Sequence, residues 1–223
     1  MKRTSHANRI NGVDTKMVTP AEVKEIVPII NINGPRFPVL GALWQPRGGT
    51  ARHDAVAWGY ARKCSDYGID IIEQCEVIGI KKKRDKIVGM ETTKGHIKAK
   101  KVCFVAAGHS SVLADLAGFR LPIESVALQA LVSEPIKPII DCVVMANTVH
   151  GYLSQSDKGE LVIGGGADGY NNYSQRGSFL HIEETVRALV ETFPVISRLR
   201  QLRQWGGIVD MTGDRSPIIS KTP

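Results

Sequence analysis

The sequence predicts an α/β fold, in which a part with a three-stranded meander is followed by a part with a mixed sheet. Three observations predict it: two helical patterns with clear end signals, three strands separated by short turns, and a later half rich in strands. The chain has 223 residues, of which 43% are hydrophobic and 23% charged. This composition is typical of a globular protein with one or two cores.

The first half contains two predicted helices. Thr19, Pro20 and Glu22 supply a cap, a proline at the first helical position and an acid in the first turn, which predicts a helix ending near Ile26. An extended run follows over residues 39–44. Apolar side chains spaced three or four apart then predict a helix over residues 54–67, with Gly68 as its stop signal.

Three strands are predicted next, over residues 69–81, 87–93 and 97–107. The third ends in a continuous apolar run, which is typical of a strand buried on both faces. Four basic residues, 81–84, lie at the first turn, and we interpret them as a solvated hairpin tip.

The second half is predicted to hold strands over residues 125–133, 143–149, 151–155 and 161–166. A helix over residues 179–193 stops at Pro194, and a last strand covers residues 205–211 before a turn at 212–215. No linker interrupts residues 1–223. Within them we expect one part over 45–120, with the meander, and another over 121–212, with the mixed sheet.

The charge and the cysteine content of the sequence limit the kinds of ligand, metal site and compartment that we expect for the protein. The net charge is +7, but no nucleic-acid-binding motif accompanies it, and an anionic ligand or an acidic partner explains it as well. Cysteines 64, 75, 103 and 142 form no C-x-x-C pair, and no histidine lies at metal-ligand spacing from them. We therefore expect no metal, no disulfide and no membrane segment, and a cytoplasmic location.

The most informative segment is residues 47–58, Arg-Gly-Gly-Thr-Ala-Arg-His-Asp-Ala-Val-Ala-Trp. Its two glycines predict a tight turn, Thr50 a helix cap, and His53 a place in the first helical turn between Arg52 and Asp54. A helix N-terminus can hold a phosphate and disfavours protonation of an imidazole. A neutral imidazole is a nucleophile, so the segment is predicted to bind a phosphorylated cofactor and attach to it covalently.

The chain resembles flavoprotein amine oxidases of the D-amino-acid-oxidase-like class, and within it the beta subunits of heterotetrameric sarcosine oxidases. The resemblance covers nearly the whole chain, and four stretches carry it: residues 7–14, residues 48–62, the meander ending Ala106-Ala107-Gly108, and residues 212–219. It implies a partial FAD-binding layer joined to a mixed-sheet substrate domain.

The resemblance also implies an activity and partners. Such enzymes oxidise sarcosine (N-methylglycine) at FAD, pass electrons to a covalent FMN and then to oxygen, and transfer the one-carbon unit to tetrahydrofolate. Alpha, gamma and delta subunits complete the complex. A related enzyme acting on dimethylglycine or another N-methyl amine, and an inactive fragment that binds a partner, remain as alternatives.

By the same resemblance, His53 is the position of the covalent FMN, while catalytic residues stay unassigned. Tyr152 and Asp168 are weak candidates for the substrate side, Tyr152 with a core role as its alternative. His109 and His150 are ambiguous loop histidines. The expected flavin contacts are Arg47, Gly48, Gly49, Thr50, Arg52, Val77, Ala106, Ala107, Gly108, Asp214 and Arg215. For Asp214 and Arg215, a turn held by a salt bridge between them is an equally supported interpretation.

The chain departs from the class in one respect. A dinucleotide-binding flavoprotein needs a G-x-G-x-x-G turn between its first strand and helix, and this sequence has none. Residues 164–169 are glycine-rich but follow a hairpin strand, so we do not expect them to cradle phosphate. We expect a fragment without either end of its FAD-binding domain, inactive when isolated.

Overall fold

The structure is a computed structural model that describes residues 1–84 and 86–221. Its helices are α1 (Lys2–Ile10), α2 (Pro20–Ile26), α3 (His53–Asp66), α4 (Ser110–Leu116) and α5 (Phe179–Thr192). Its strands are β1 (Lys16–Val18), β2 (Ala42–Trp44), β3 (Val77–Lys83), β4 (Lys86–Thr92), β5 (Gly95–Lys98), β6 (Ile123–Pro135), β7 (Val144–Ala146), β8 (Gly151–Gln155), β9 (Glu160–Ala167) and β10 (Gln201–Thr212).

The chain forms two compact units. Unit 1 comprises Met1–Thr50, Ala127–Gly169 and Ser174–Gly207, and unit 2 comprises Ala51–Val126, Tyr170–Tyr173 and Ile208–Pro223. Two of the five chain positions at which one unit gives way to the other fall inside strands, one in β6 and one in β10.

Most of unit 1 is built around one sheet. The order in the five-stranded sheet is β10-β6-β9-β8-β7, and the pairs β6–β9, β9–β8 and β8–β7 are antiparallel. A separate antiparallel pair joins β1 and β2. The hairpin predicted between residues 151–155 and 161–166 is confirmed as β8 and β9, in which Leu153 lies opposite Ile163.

The core of unit 1 lies between this sheet and α5. Leu153, Leu161, Ile163, Leu189 and Phe193 are fully buried and form its centre, with side chains from α2 packed beside them. The predicted capping box of α2 is present: Glu22 N donates to Thr19 Oγ1 at 3.4 Å, and Thr19 N donates to Glu22 Oε2 at 2.7 Å.

Unit 2 contains the predicted three-stranded meander, β3-β4-β5, in antiparallel order. The Lys82 ammonium donates to the Ala117 carbonyl at the end of α4, where a cation meets the negative end of the helix. The remaining members of the basic run, residues 81, 83 and 84, are exposed, as expected for a hairpin tip.

Two predicted strands of the meander are too long. Residues 69–76 form no strand, and β3 begins only at Val77. Residues 102–106 form no strand either, and Val105 is 89% exposed, so the prediction of a strand buried on both faces is wrong. Among the described residues no strand pairs with this run, and an unpaired apolar segment has no ladder to stabilise it.

Helix α3 begins and ends as predicted to within one residue, with Gly68 at φ +70° after its last turn. None of its residues is buried in this structure. Val56, Trp58 and Tyr60 are 48%, 65% and 73% exposed. None of the described helices has the length and apolar content needed to span a bilayer.

Candidate functional site

His53 is the first residue of α3 and its imidazole is exposed. The cap position lies two residues later than predicted: Arg52 occupies it, and Thr50 does not cap the helix. Among the described residues no side chain bonds to the N-terminus of α3 from the cap position. The positive end of a 14-residue helix therefore lies at His53, and a helix N-terminus favours a nearby anion.

Charged side chains flank His53 within unit 2. Arg52 Nη2 lies 3.1 Å from Asp54 Oδ2, and the Ala55 N–H donates to Asp54 Oδ1 at 2.8 Å. The hydrogen bond from Arg52, followed by that from Ala55, holds the pKa of the Asp54 carboxyl below its ordinary value. The carboxylate next to His53 is thus ionised at neutral pH.

The glycine turn before α3 belongs to unit 1. Gln45 organises it, because its side-chain oxygen accepts from Arg47 N at 3.1 Å and its carbonyl accepts from Gly48 N at 3.0 Å. The Arg47 guanidinium lies 2.8 Å from Asp14. At Gly49 an added Cβ would meet no atom within 4 Å, so the backbone there is open to a ligand.

The predicted flavin turn at Ala106-Ala107-Gly108 is tightly fixed within unit 2. It forms a 3₁₀ turn over Ala107–His109, and Ala107 adopts φ +43°. Ser125 Oγ donates to the Gly108 carbonyl at 2.5 Å, and a Cβ on Gly108 would collide with the Ile208 side chain. Only glycine fits at position 108, so the course of the backbone is set.

The remaining predicted positions of unit 2 lie at element ends. Val77 is the first residue of β3, and the His109 ring lies 4.7 Å from the Tyr173 ring. Asp214 accepts from Ser216 N at 3.0 Å and from Thr212 Oγ1 at 3.2 Å, and these bonds lower its pKa. None of the described ion pairs joins Asp214 to Arg215, so the turn is held by hydrogen bonds instead.

Tyr152 lies on the sheet face opposite α5. Its neighbour Gly151 touches Leu189 of α5, and side chains alternate along a strand, so the Tyr152 ring points to the other face. There it covers Gly164, whose Cβ position the ring fills. Partial burial raises the pKa of the Tyr152 hydroxyl, which keeps it a neutral hydrogen-bond donor. His150 precedes it with φ +50°.

Asp168 belongs to a buried polar network that the sequence analysis missed. Gln129 Nε2 donates to Asp168 Oδ1 at 3.2 Å, and His181 Nε2 lies 3.3 Å from the same oxygen. Gln129 Oε1 accepts in turn from Ser178 N, at the start of α5, at 2.8 Å. The network joins β6, the end of β9 and α5. Its residues are far apart in the sequence, so no local sequence pattern predicts that they contact one another.

The structure distributes the predicted residues over both units. Unit 1 holds Arg47, Gly48, Gly49, Thr50, Tyr152 and Asp168, and unit 2 holds Arg52, His53, Val77, Ala106, Ala107, Gly108, Asp214 and Arg215. Unit 1 also has an apolar cleft of about 770 Å³, beside Gly48 and Gly49, that the sequence did not reveal. Its size is within the range of small-molecule sites.

The chain belongs to the DAO family of FAD dependent oxidoreductases, whose family model matches residues 1–223. The chain is 70% identical to sarcosine oxidase subunit beta of Rhodobacter capsulatus and 57% identical to that of Arthrobacter sp.. These matches cover 100% and 99% of the chain, but 54% and 55% of the two proteins.

A solved structure supports the same fold. The crystal structure of L-proline dehydrogenase from P. horikoshii superimposes with a TM-score of 0.92 at 30% identity, covering 100% of this chain and 59% of that one. The predicted α/β class and the resemblance to D-amino-acid-oxidase-like enzymes are confirmed. The chain spans about half the length of the curated relatives it matches.

Proposed function

We propose that this chain is part of a multi-subunit flavoenzyme that oxidises sarcosine to glycine and a one-carbon unit and passes the electrons to oxygen. The observation that carries the proposal is the exposed His53 imidazole at the open start of α3. The similarity of the whole chain to two proteins named sarcosine oxidase subunit beta supports it.

The start of α3 fits a covalently attached FMN. The imidazole is accessible, and the helix end favours a phosphate. We propose that a ring nitrogen of His53 would hold the FMN covalently, and that the attached flavin would pass electrons on to oxygen. Arg47 and Arg52 balance the negative charge of the phosphate or the reduced flavin through their planar donor groups.

A non-covalent FAD is the second cofactor, and it supplies the two-electron oxidation of the substrate when bound. Ala107 is exposed at this fixed turn, and we propose that FAD contacts the backbone of Ala106-Ala107-Gly108 there, while the packing of Ile208 and the bond from Ser125 hold the buried Gly108 in place. Val77, Asp214 and Arg215 are the further contacts we propose for it.

The isolated chain should not retain FAD. No G-x-G-x-x-G turn joins a first strand to a helix in the sequence, and residues 164–169, which have this spacing, cannot replace it, because the Tyr152 ring fills the side-chain position of Gly164. We expect the purified chain to lose FAD during gel filtration. Stoichiometric FAD absorbance in the protein peak would contradict this.

Tyr152 is the residue we propose for the substrate side. Its hydroxyl stays protonated because burial raises its pKa, so it can donate a hydrogen bond to a bound amino acid. Asp168 has a different role: its carboxylate is buried against Gln129 and His181 and positions the end of β9. For amine oxidation by a flavin, positioning of the substrate nitrogen contributes more than acid–base catalysis.

We further propose that alpha, gamma and delta subunits assemble with this chain, that the one-carbon unit passes to tetrahydrofolate through the alpha subunit, and that the complex is cytoplasmic. The relatives are named as subunits, which supports a multi-subunit assembly. The four cysteines, all free in this structure, fit a reducing compartment.

A second candidate function is that of an amine or amino-acid dehydrogenase. The observation that favours it is the similarity, at 30% identity, to a structure named L-proline dehydrogenase. The two functions differ in the covalent link: we assign the bridging FMN to the oxidase, so an unmodified His53 in assembled, folded protein favours the dehydrogenase.

The test is peptide mapping of the chain produced together with candidate partner subunits. After acid precipitation, the peptide containing His53 should carry the mass of one flavin mononucleotide, and His53→Ala should remove it. The matched control is His109→Ala, which should leave the adduct in place. An unmodified His53 peptide from folded, complexed protein would contradict the proposed attachment.

A further inference from the structure

We propose that a basic groove between α1 and β1 binds an acidic segment of a partner protein. This groove, here called the α1 groove, has a volume of about 630 Å³ and lies within unit 1. Three basic residues of α1 line it: Lys2, His6 and Arg9. The opposite wall includes Asp14, just before β1, and Lys16, the first residue of β1.

The two walls of the α1 groove are held together by buried polar contacts. Ser5 and Thr15 are both buried, with their hydroxyl oxygens 3.2 Å apart. Thr15 Oγ1 also reaches the Ser5 carbonyl at 3.2 Å, and Val13 N donates to the Asn8 carbonyl at 2.9 Å. The cationic side chains therefore stand on a fixed scaffold.

The α1 groove carries uncompensated positive charge. Lys2, Arg9 and Lys16 are permanent cations, all exposed, and none of them forms an ion pair with a carboxylate of residues 1–84 or 86–221. Asp14 is the single acid among the described lining residues, and its carboxylate is engaged by Arg47 at 2.8 Å. The groove thus presents cations without internal partners.

The spacing of the lining side chains on α1 favours a helical partner. Lys2, His6 and Arg9 follow one face of α1 at intervals of four and three residues, so they form a row about 10 Å long at a rise of 1.5 Å per residue. A single phosphate is bound by donors that converge on it. A row spaced by about one helical turn instead matches carboxylates spaced by three or four residues on a partner helix.

An acidic protein segment fits better than a nucleic acid. The described lining has no aromatic side chain on which a base could stack, whereas stacking on aromatic side chains is the usual mode of single-stranded nucleic-acid binding. This proposal does not depend on a flavin at His53. It can therefore fail while the proposed function holds, and the proposed function can fail while this proposal holds.

The test measures binding of a fluorescent helical peptide of about 15 residues with glutamate at every fourth position. The 223-residue chain should bind it at about 50 mM salt and release it at about 500 mM, because salt screens exposed charges. Lys2→Ala/Arg9→Ala/Lys16→Ala should weaken binding about tenfold, the sum of three exposed ion pairs. The matched control, Lys83→Ala/Lys86→Ala/Lys98→Ala, removes the same charge from the exposed meander and should change the dissociation constant less than twofold.

Four results would overturn the proposal. The first is that the unmodified chain fails to bind the peptide at low salt, and the second is that it binds the same peptide with glutamine in place of glutamate equally well. The third is that the two triple variants lose affinity equally, which would mean that only net charge matters. The fourth is that a single-stranded oligonucleotide of equal charge binds more tightly and depends on Lys2, Arg9 and Lys16, which would assign the groove to nucleic acid.

Discussion

Replacement of Gly164 by alanine should destabilise unit 1 through the Tyr152 ring. The Cβ of the new residue would overlap the ring carbons and the hydroxyl oxygen of Tyr152, so the ring must move. Overpacking of this kind costs about 1–3 kcal/mol. For a chain of this length, that lowers the melting temperature by about 2–10 °C.

A double-mutant cycle followed by thermal unfolding tests this argument. Tyr152→Ala removes the ring, so in that background Gly164→Ala should cost almost nothing, and the coupling energy should be about 1–3 kcal/mol. Gly169→Ala is the control, since an added Cβ there meets no atom within 4 Å. Equal melting temperatures for Gly164→Ala and Gly169→Ala would refute the reasoning.

Two further predictions concern α5. Leu189→Ala should lower the free energy of unfolding by about 2–5 kcal/mol in urea titrations, because Leu189 is fully buried, whereas Leu180→Ala, at an exposed position, should stay within about 0.5 kcal/mol. Burial raises the pKa of Glu191, but its bonds from Arg36 and Phe37 outweigh this and hold it below its ordinary value. Its stabilising contribution should therefore be complete above the ordinary carboxyl pKa of about 4.3 and be lost as the pH falls through the lower, folded value. Glu191→Gln should flatten that part of the stability–pH curve, and an unchanged curve would contradict this origin.

Elements with local end signals were predictable from the sequence. The capping box at Thr19 and Glu22 defined the start of α2, and Gly68 defined the end of α3. These signals act within a few residues, so neighbouring parts of the chain cannot easily override them. Helix α1 was missed because its sequence has neither a capping side chain nor an apolar face of helical spacing.

Strand prediction failed where pairing decides the structure. Residues 69–76 and 102–106 have apolar character, but a strand exists only if another strand pairs with it, and the sequence pattern contains no information about the partner. The alternation at β8 and β9 succeeded because the two strands are close in sequence and joined by a short turn.

The candidate site was predictable only in part. The place of His53 at the start of α3 followed from the glycine turn and the helical spacing, although the cap moved from Thr50 to Arg52. The partners of Asp168 did not follow, because Gln129 is 39 residues away and the contact depends on the register of β6 and β9.

The exposed side of α3 gives the chain a built-in spectroscopic reporter. Trp58 is 65% exposed, so its emission should lie at the long wavelengths of a tryptophan in water, and a protein that covers α3 would shift that emission to shorter wavelengths. The same uncovered apolar side chains should bind hydrophobic dyes and lower the colloidal stability of the chain at high concentration. Fluorescence and light scattering can thus follow assembly as it happens, before any catalytic turnover is measured.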